Sequence, residues 1–447
     1  MKPATIPQRQ ASSSLMGDLP DFQERPLELM LELANEHPPL TKINFGPVPQ
    51  YVISDPTAAK QVLRTNNRSF IKEQMMMDIT RTVLKTGRNL FTSDGDPWLK
   101  RRRTMQPTFH RKMIANFSEA IVAATNRAMA SWADGKPLDI EEAMMEVTMD
   151  VIGRTMLSQD ILTEHPQLYD AFETASEHII YRATSMVGRF TPRFLPTARN
   201  RAFKQAIATV REMLGEAIAK RMAIPEAERP ADLLTMMLAG RDDESGFTFA
   251  PEQLMDELYG IVTAGHETSS ITFAALFYEL ATQPEIMGKV IGELDAQLNG
   301  RLPTATDLPY LPTLRHAIKE TMRRYPAAYI TTRQTVEPVE LLGYTLPANT
   351  AVIINIYGLH HHNELWHEPM RFDPARWQQD DINKDAFLPF GAGPRKCIGE
   401  PLARLEMALI AAAILQRFRF EVARPMTMRA GFTLRAVDGI WLQPSER

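Results

Sequence analysis

The residue with the most chemistry in this 447-residue chain is its one cysteine, Cys397. It stands in the segment 390–399, FGAGPRKCIG, with Gly391 and Gly393 before it and Gly399 after it. Glycine permits positive φ and close backbone approach, so the segment reads as a tight, preorganised loop. Residues 400–418 then read as one long apolar helix. A thiol just ahead of a helix start meets the positive end of the macrodipole, and Arg395 and Lys396 add positive charge beside it. Each of these favours thiolate over thiol, the state that binds a metal. A lone cysteine also reads as a small buried hydrophobe. The residues alone suggest a thiolate ligand and name no cofactor.

Three further patterns could do chemistry. Residues 261–280, IVTAGHETSSITFAALFYEL, are apolar nearly all round, which marks a buried helix interrupted by Ala264-Gly265-His266-Glu267-Thr268-Ser269. Polar groups there are costly without partners or work. A mid-helix threonine can bond back to the carbonyl four residues earlier, here Ala264, and bend the helix, and Gly265 eases that opening. Glu320-x-x-Arg323 sets a carboxylate and a guanidinium one turn apart, by default a solvated surface pair. In Gly95-Asp96-x-Trp98-x-x-x-Arg102 the four-residue spacing puts Trp98 and Arg102 on one helix face, within the basic run from Lys100 to Arg103. His360, His361 and His362 invite a metal reading, but consecutive residues rarely converge on one ion, and a polar connector is favoured.

The elements that must position these groups are mostly helices. Apolar spacings of three and four predict helices over 117–132, 140–156, 199–222 and 231–239, with another after Pro26. Strand character gathers in 44–53, in 339–356 and in 426–442, where Asp438-Gly439 is a hairpin signal. No repeat or Gly/Ser linker appears, so one large domain over 1–447 is expected, with 1–40 partly irregular and a long helix at 250–282.

Composition narrows the classes. The 50 Lys and Arg against 54 Asp and Glu leave a net charge of −4, and nucleic acid is not implied as a partner. One cysteine closes no intramolecular disulfide and builds no multi-cysteine zinc or iron–sulfur site. No apolar run approaches the ~20 residues that span a bilayer, and the N-terminus has no signal core. The expectation is a soluble, cytoplasmic protein without a membrane anchor.

The pattern Phe390-x-x-Gly393-x-Arg395-x-Cys397-x-Gly399 resembles the haem-binding loop of the cytochrome P450 superfamily at every defining position. The other patterns resemble the same family. Ala264-Gly265-x-Glu267-Thr268-Ser269 matches its oxygen-activation motif. Glu320 and Arg323 match its E-x-x-R helix, whose partner resembles Arg376 in FDPARW. The Trp98/Arg102 helix is similar to its propionate-binding helix, as Arg333 is to another propionate-binding arginine. The resemblance runs from about Phe45 to the C-terminus.

It implies a mainly α, triangular-prism fold with a small β region and haem b bound by Cys397, whose thiolate favours O–O cleavage. Phe390 would pack beside the sulfur, while Arg395, Trp98, Arg102 and Arg333 would hold propionates. Thr268 would hydrogen-bond dioxygen and an ordered water, and Glu267 would relay protons. Glu320, Arg323 and Arg376 would form a buried structural cluster.

The implied reaction inserts one oxygen atom of dioxygen into a lipophilic substrate (fatty acid, terpenoid or steroid), with two electrons from NAD(P)H. These would come through a ferredoxin and its reductase, or a flavodoxin-type donor, because no redox sequence follows Arg447. Lys100, Arg101, Arg103, Arg111 and Lys396 could steer such a donor. By the same analogy Met76, Ile179, Val187, Ile261, Ala327, Ile330 and Phe432 would line the pocket, the first within a Met-rich mobile loop. A monomer is expected. A peroxide-driven peroxygenase would generally replace the Glu267-Thr268 pair, and a non-catalytic haem-thiolate sensor would not need it.

Overall fold

The computed structural model describes residues 5–447 apart from 75, 76, 79, 82–87, 133, 185–187, 189, 190, 193 and 194. Met76 and Val187 therefore lie outside the described residues, as does the side chain of Ile179 within the helix Leu168–Thr184. The apolar spacings become helices at Ser118–Met129, Ile140–Ile152, Ala198–Ala223 and Leu233–Ala239. Their starts are set by side chains that take up the first N–H groups. Asp139 accepts from Glu141 and Glu142, Thr197 from Asn200, and Asp232 from Thr235. The expected 140–156 helix ends as an α-helix at Ile152 and widens into a π-turn at Gly153–Leu157, where a Cβ on Gly153 would lie 2.7 Å from Ile161.

Contacts divide the chain into two compact units interleaved in sequence. One comprises Met1–Met77, His316–Cys397 and Thr427–Val437, and the other Asp78–Arg315, Ile398–Met426 and Asp438–Arg447. The first is built on a five-stranded sheet. Its strand order is Leu40–Phe45, Val48–Ile53, Ala351–Ile354, Thr331–Thr335 and Phe70–Ile71. Side chains alternate between its faces. Ile43, Val52 and Ile353 pack on Leu29, Met30 and Leu33 of the helix Pro26–Asn35. Leu40, Ile53, Val352 and Ile354 face the other way, into a core with Val62, Leu63, Leu388 and Ala392. That second core anchors the chain on both sides of Phe390.

The second unit is helical. The helix Pro251–Thr282 runs along Ile140–Ile152 and Ala198–Ala223, and Glu400–Arg417 packs on Ser118–Met129. A three-stranded sheet joins Leu138–Asp139, Trp441–Glu446 and Phe418–Val422. Among the described residues no helix is long and apolar enough to cross a membrane.

Three strand expectations need correction. The first hairpin starts at Leu40, not at residue 44. Segment 339–356 splits into a hairpin, Val339–Leu341 with Tyr344–Leu346, and a strand, Ala351–Ile354, that leaves to pair in parallel with Val48–Ile53. Asp438-Gly439 is not a hairpin turn: the hairpin is Met428–Ala430 with Leu434–Ala436. Gly439 is left-handed at φ +73°, and a Cβ there would also sit 1.9 Å from the Asp139 carboxylate, which accepts the Ile440 N–H, so glycine is needed on both counts.

Candidate functional site

The cysteine loop closes on itself through its backbone. Gly391 N–H donates to Leu388 O (2.9 Å), Lys396 N–H to Gly393 O (3.0 Å) and Cys397 N–H to Phe390 O (3.0 Å). Gly391 and Gly393 take φ of +65° and +69°, a region an L side chain rarely adopts. At Gly393 the need is also steric, since a Cβ would lie 1.7 Å from the Leu63 carbonyl oxygen. Gly399 caps the helix Glu400–Arg417. The result is an exposed Cys397 side chain on a loop whose base is locked into the core.

The donor set fits haem. Among the described residues no group of three His, Cys, Asp or Glu converges to hold a bare ion. A single exposed sulfur suits an iron held by a porphyrin, which would need one ligand from the protein. Arg395 is half-buried in the same loop.

Behind the loop the structure brings Glu320, Arg323 and Arg376 together. Glu320 and Arg323 are both 0% exposed. Arg323 binds the carboxylate with two donors (Nε to Oε2, 3.0 Å; Nη2 to Oε1, 2.8 Å), and Arg376 Nε adds a third at 2.9 Å. Two donors not anticipated from the sequence complete the shell: the Asp373 N–H and the Trp377 indole N–H, each at 3.0 Å. Arg323 Nη1 donates to His360 O (2.7 Å) and Arg376 Nη1 to His367 O (3.0 Å). A buried ion pair is tolerable when its remaining donors and acceptors are met in this way. Trp377 was in plain sight in FDPARW, and its indole can only donate, which is the signal that could have found it.

The histidine run sits in this neighbourhood. His360 and His361 are buried and bond to backbone: His360 Nδ1 with Arg323 O, His361 Nδ1 with Tyr357 O. Burial, aided by the Arg323 charge, pulls His360 down to about 3, so its ring is neutral.

In the other unit the helix Pro251–Thr282 is unbroken through AGHETS. Thr268 Oγ1 donates to Ala264 O at 2.6 Å, the back-bond expected of a mid-helix threonine, without ending the helix. Ile261, Ala264, Gly265 and Thr268 fall at i, i+3, i+4 and i+7, one stripe, and this stripe stays accessible while Val262, His266, Glu267, Ser269 and Ser270 are buried. An apolar helix showing a small-residue stripe with one hydroxyl suits a flat apolar ligand laid against it. Glu267 lies on a buried face of the same turn.

Trp98 and Arg102 are half-buried on the helix Gly95–Met105, and Arg102 Nε reaches Gln106 Oε1 at 3.3 Å. Arg333 lies in the first unit, in the strand Thr331–Thr335, donating to Thr332 O at 2.7 Å. Of the pocket candidates in that unit, Ala327 accepts the Leu434 N–H (3.0 Å), Ile330 packs against the core, and Phe432 is 47% exposed.

One expectation is overturned. Arg101 does not present charge to a partner: it is buried, donating to Glu257 Oε1 at 2.9 Å, while Glu257 Oε2 accepts the Leu90 N–H at 2.8 Å. A helical run of four basic residues must turn one inward, and Glu257, 156 positions away, receives it. Arg103 pairs with Glu244, while Lys100 and Arg111 are exposed.

Glu406, on the helix Glu400–Arg417, is 7% exposed, and burial alone pushes it up to about 8. The folded chain therefore keeps this proton after the unfolded chain has lost its own near the ordinary carboxylate range. Stability falls as pH rises from about 4.5 towards 8 and is flat above. Glu406→Gln removes that slope, so the variant should overtake the parent by a few kcal/mol near pH 8. Denaturant melts at pH 5 and pH 8 measure it, and equal slopes for the two proteins would refute it.

Comparison with known proteins places the chain. The family model described as Cytochrome P450 matches residues 7–441. Cyclooctat-9-en-7-ol 5-monooxygenase of Streptomyces melanosporofaciens is 35% identical over 94% of this chain and 90% of its own length. Pentalenene oxygenase of Streptomyces avermitilis is 31% identical over 91% and 90%. A plant relative, the chloroplastic LUTEIN DEFICIENT 5 protein of Arabidopsis thaliana, is 29% identical over 91% and 72%. The two Streptomyces relatives are named as oxygenases and span nearly the whole chain, which sets the class: a mainly α oxygenase using haem and dioxygen. The chain belongs to the cytochrome P450 family and is one of its monooxygenases.

Proposed function

We propose that this monooxygenase hydroxylates or epoxidises a lipophilic terpenoid, with Cys397 as the proximal ligand of its haem. The observation that carries the reading is the exposed Cys397 sulfur on a glycine loop locked into the core. The substrate class is supported by terpenoid-oxidising relatives, among them those named for cyclooctat-9-en-7-ol and pentalenene. Bound haem supplies the chemistry of dioxygen activation.

The chain's residues do the rest. Cys397 would bind the haem iron through its sulfur, Arg395, Trp98, Arg102 and Arg333 would hold the carboxylates of the cofactor, and Gly391, Gly393 and Gly399 would let the backbone approach it closely. Phe390 shields the sulfur. Thr268 orders the water through which protons arrive, and Glu267 passes them inward from solvent. Ala264 and Gly265 leave room above that hydroxyl, beside Ile261. Ala327, Ile330 and Phe432 contribute apolar surface for the substrate, joined by Met76, Ile179 and Val187 on the family analogy. Electrons come from NAD(P)H through a ferredoxin and reductase or a flavodoxin-type donor, which Lys100, Arg111 and Lys396 attract.

Purified protein should convert a terpene, given NAD(P)H and donor proteins, to a product heavier by one oxygen. Terpenes should also shift its ferric haem from low to high spin. A response confined to fatty acids or steroids would overturn the substrate class, and turnover with peroxide but not with donor proteins would make it a peroxygenase. Thr268→Ala should bind substrate about as well yet form product slower by roughly 100-fold or more, its electrons diverted to peroxide. Undiminished coupling of electrons to product would remove Thr268 from proton delivery.

A further inference from the structure

His360 makes a set of contacts that a filler of the core does not need. Its side chain is 0% exposed, and Nε2 lies 2.8 Å from the Leu388 N–H while Nδ1 lies 3.1 Å from Arg323 O. An amide N–H can only donate and a carbonyl can only accept. Nε2 is therefore the unprotonated nitrogen and Nδ1 carries the hydrogen, one tautomer held at both ends. The ring centroid stands 5.4 Å from that of Phe387. Its backbone oxygen meanwhile takes the Arg323 Nη1 hydrogen bond.

Leu388 is where this reaches the thiolate loop. The carbonyl of Leu388 accepts the Gly391 N–H, and the carbonyl of Phe390, two residues on, accepts the Cys397 N–H. One hydrogen-bonded path thus runs from Glu320 through Arg323 and His360 to the backbone on which the loop turns. Leu388 and Ala392 are buried by apolar packing, but packing fixes depth and not the angle of a peptide plane. The amide plane at Leu388 needs a directional partner, and the imidazole supplies it.

We propose that His360 is a positioning residue for the cysteine ligand, setting the loop angle at Leu388 so that the Cys397 sulfur is presented as a stable thiolate. This rests on the reading that Cys397 ligates haem. Groups behind a metal ligand typically change affinity or activity by roughly 10- to 100-fold when removed.

Three variants of the haem-loaded protein separate the roles of the two nitrogens. His360→Phe keeps a ring of similar size and removes both contacts. His360→Asn can retain the contact to Arg323 O but is too short to meet Leu388. His360→Gln places a carboxamide oxygen near the lost Nε2. Each is read by the reduced carbon monoxide spectrum, by the rate of haem transfer to an acceptor apoprotein, and by thermal unfolding of the apoprotein.

The Phe and Asn proteins should lose haem roughly 10- to 100-fold faster and give a mixture of thiolate and thiol spectra, while Gln restores the thiolate spectrum and slow loss. A pure thiolate spectrum with parental haem retention in folded His360→Phe would overturn the proposal. So would a lowered unfolding temperature with no spectral change, because His360 would then be structural only. Cys397→Ala, run beside them, tests the underlying reading: if it keeps the thiolate spectrum, the ligand assignment has failed instead.

Discussion

A Cys397→Ala protein folds, shows no thiolate-type spectrum when reduced under carbon monoxide, and loses monooxygenase turnover to background. The side chain is exposed, so truncation opens no cavity, and a surface change of this kind usually costs within about 0.5 kcal/mol. The loop geometry does not depend on the sulfur either. The bonds Cys397 N–H to Phe390 O and Gly391 N–H to Leu388 O belong to the backbone, and the glycine conformations at 391 and 393 stay as they are. What disappears is the one cysteine sulfur in the chain, and no second cysteine can replace it. Unfolding temperature should therefore hold while haem content and the carbon monoxide spectrum fall. Cys397→His should bind haem as an imidazole complex with the spectrum moved accordingly. A thiolate spectrum in either variant would sink the assignment of the proximal ligand.

The chemistry was more legible than the architecture, for a physical reason. A motif is local: FGAGPRKCIG, AGHETS and the Glu320/Arg323 pair each lie within three turns of chain, where spacing fixes which atoms can act together. The helix Pro251–Thr282 was legible for the same reason, since its apolar run is continuous. Contacts between distant segments leave no such trace. The parallel pairing of Val48–Ile53 with Ala351–Ile354 joins strands some 300 residues apart, and alternation says only that each strand has two faces.

The burial of Arg101 is not legible in the sequence, because a basic run looks solvated until its partner is known, and Glu257 is itself an ordinary carboxylate there. Buried in the structure with Arg101 and the Leu90 amide, it is pushed up to about 7, desolvation outweighing both partners. In the sequence His360 reads as part of a polar connector, and its two directional contacts arise only when Arg323 and Leu388 are brought beside it.

Glu320→Ala should be the most damaging single change to stability. The carboxylate takes five hydrogen bonds, from Arg323 (two), Arg376, the Asp373 amide and the Trp377 indole. Truncation leaves two guanidinium groups, 0% and 5% exposed, facing a hole without their counter-charge. Burial already pulls the Arg323 pKa down, with Glu320 opposing it most strongly, and that opposition vanishes. Removing one partner of a buried ion pair costs about 3–5 kcal/mol, against a total stability of roughly 5–15 kcal/mol. Unfolding temperature should fall by roughly 3–5 °C in a chain of 447 residues, and much of the protein should be recovered without haem.

Glu320→Gln separates charge from shape. It keeps one acceptor oxygen for Arg376 or Trp377 but turns an amide against Arg323, so it should fall between parent and alanine. The damage should also travel. Arg323 holds His360, and His360 holds the amide of Leu388, so a loosened Glu320 cluster releases the loop that presents Cys397. In the surviving holoprotein of Glu320→Gln, the thiol fraction of the carbon monoxide spectrum should rise together with the loss of stability. Melts of the alanine variant within a degree or two of the parent would show that the two arginines find other partners and that the cluster does not hold the core.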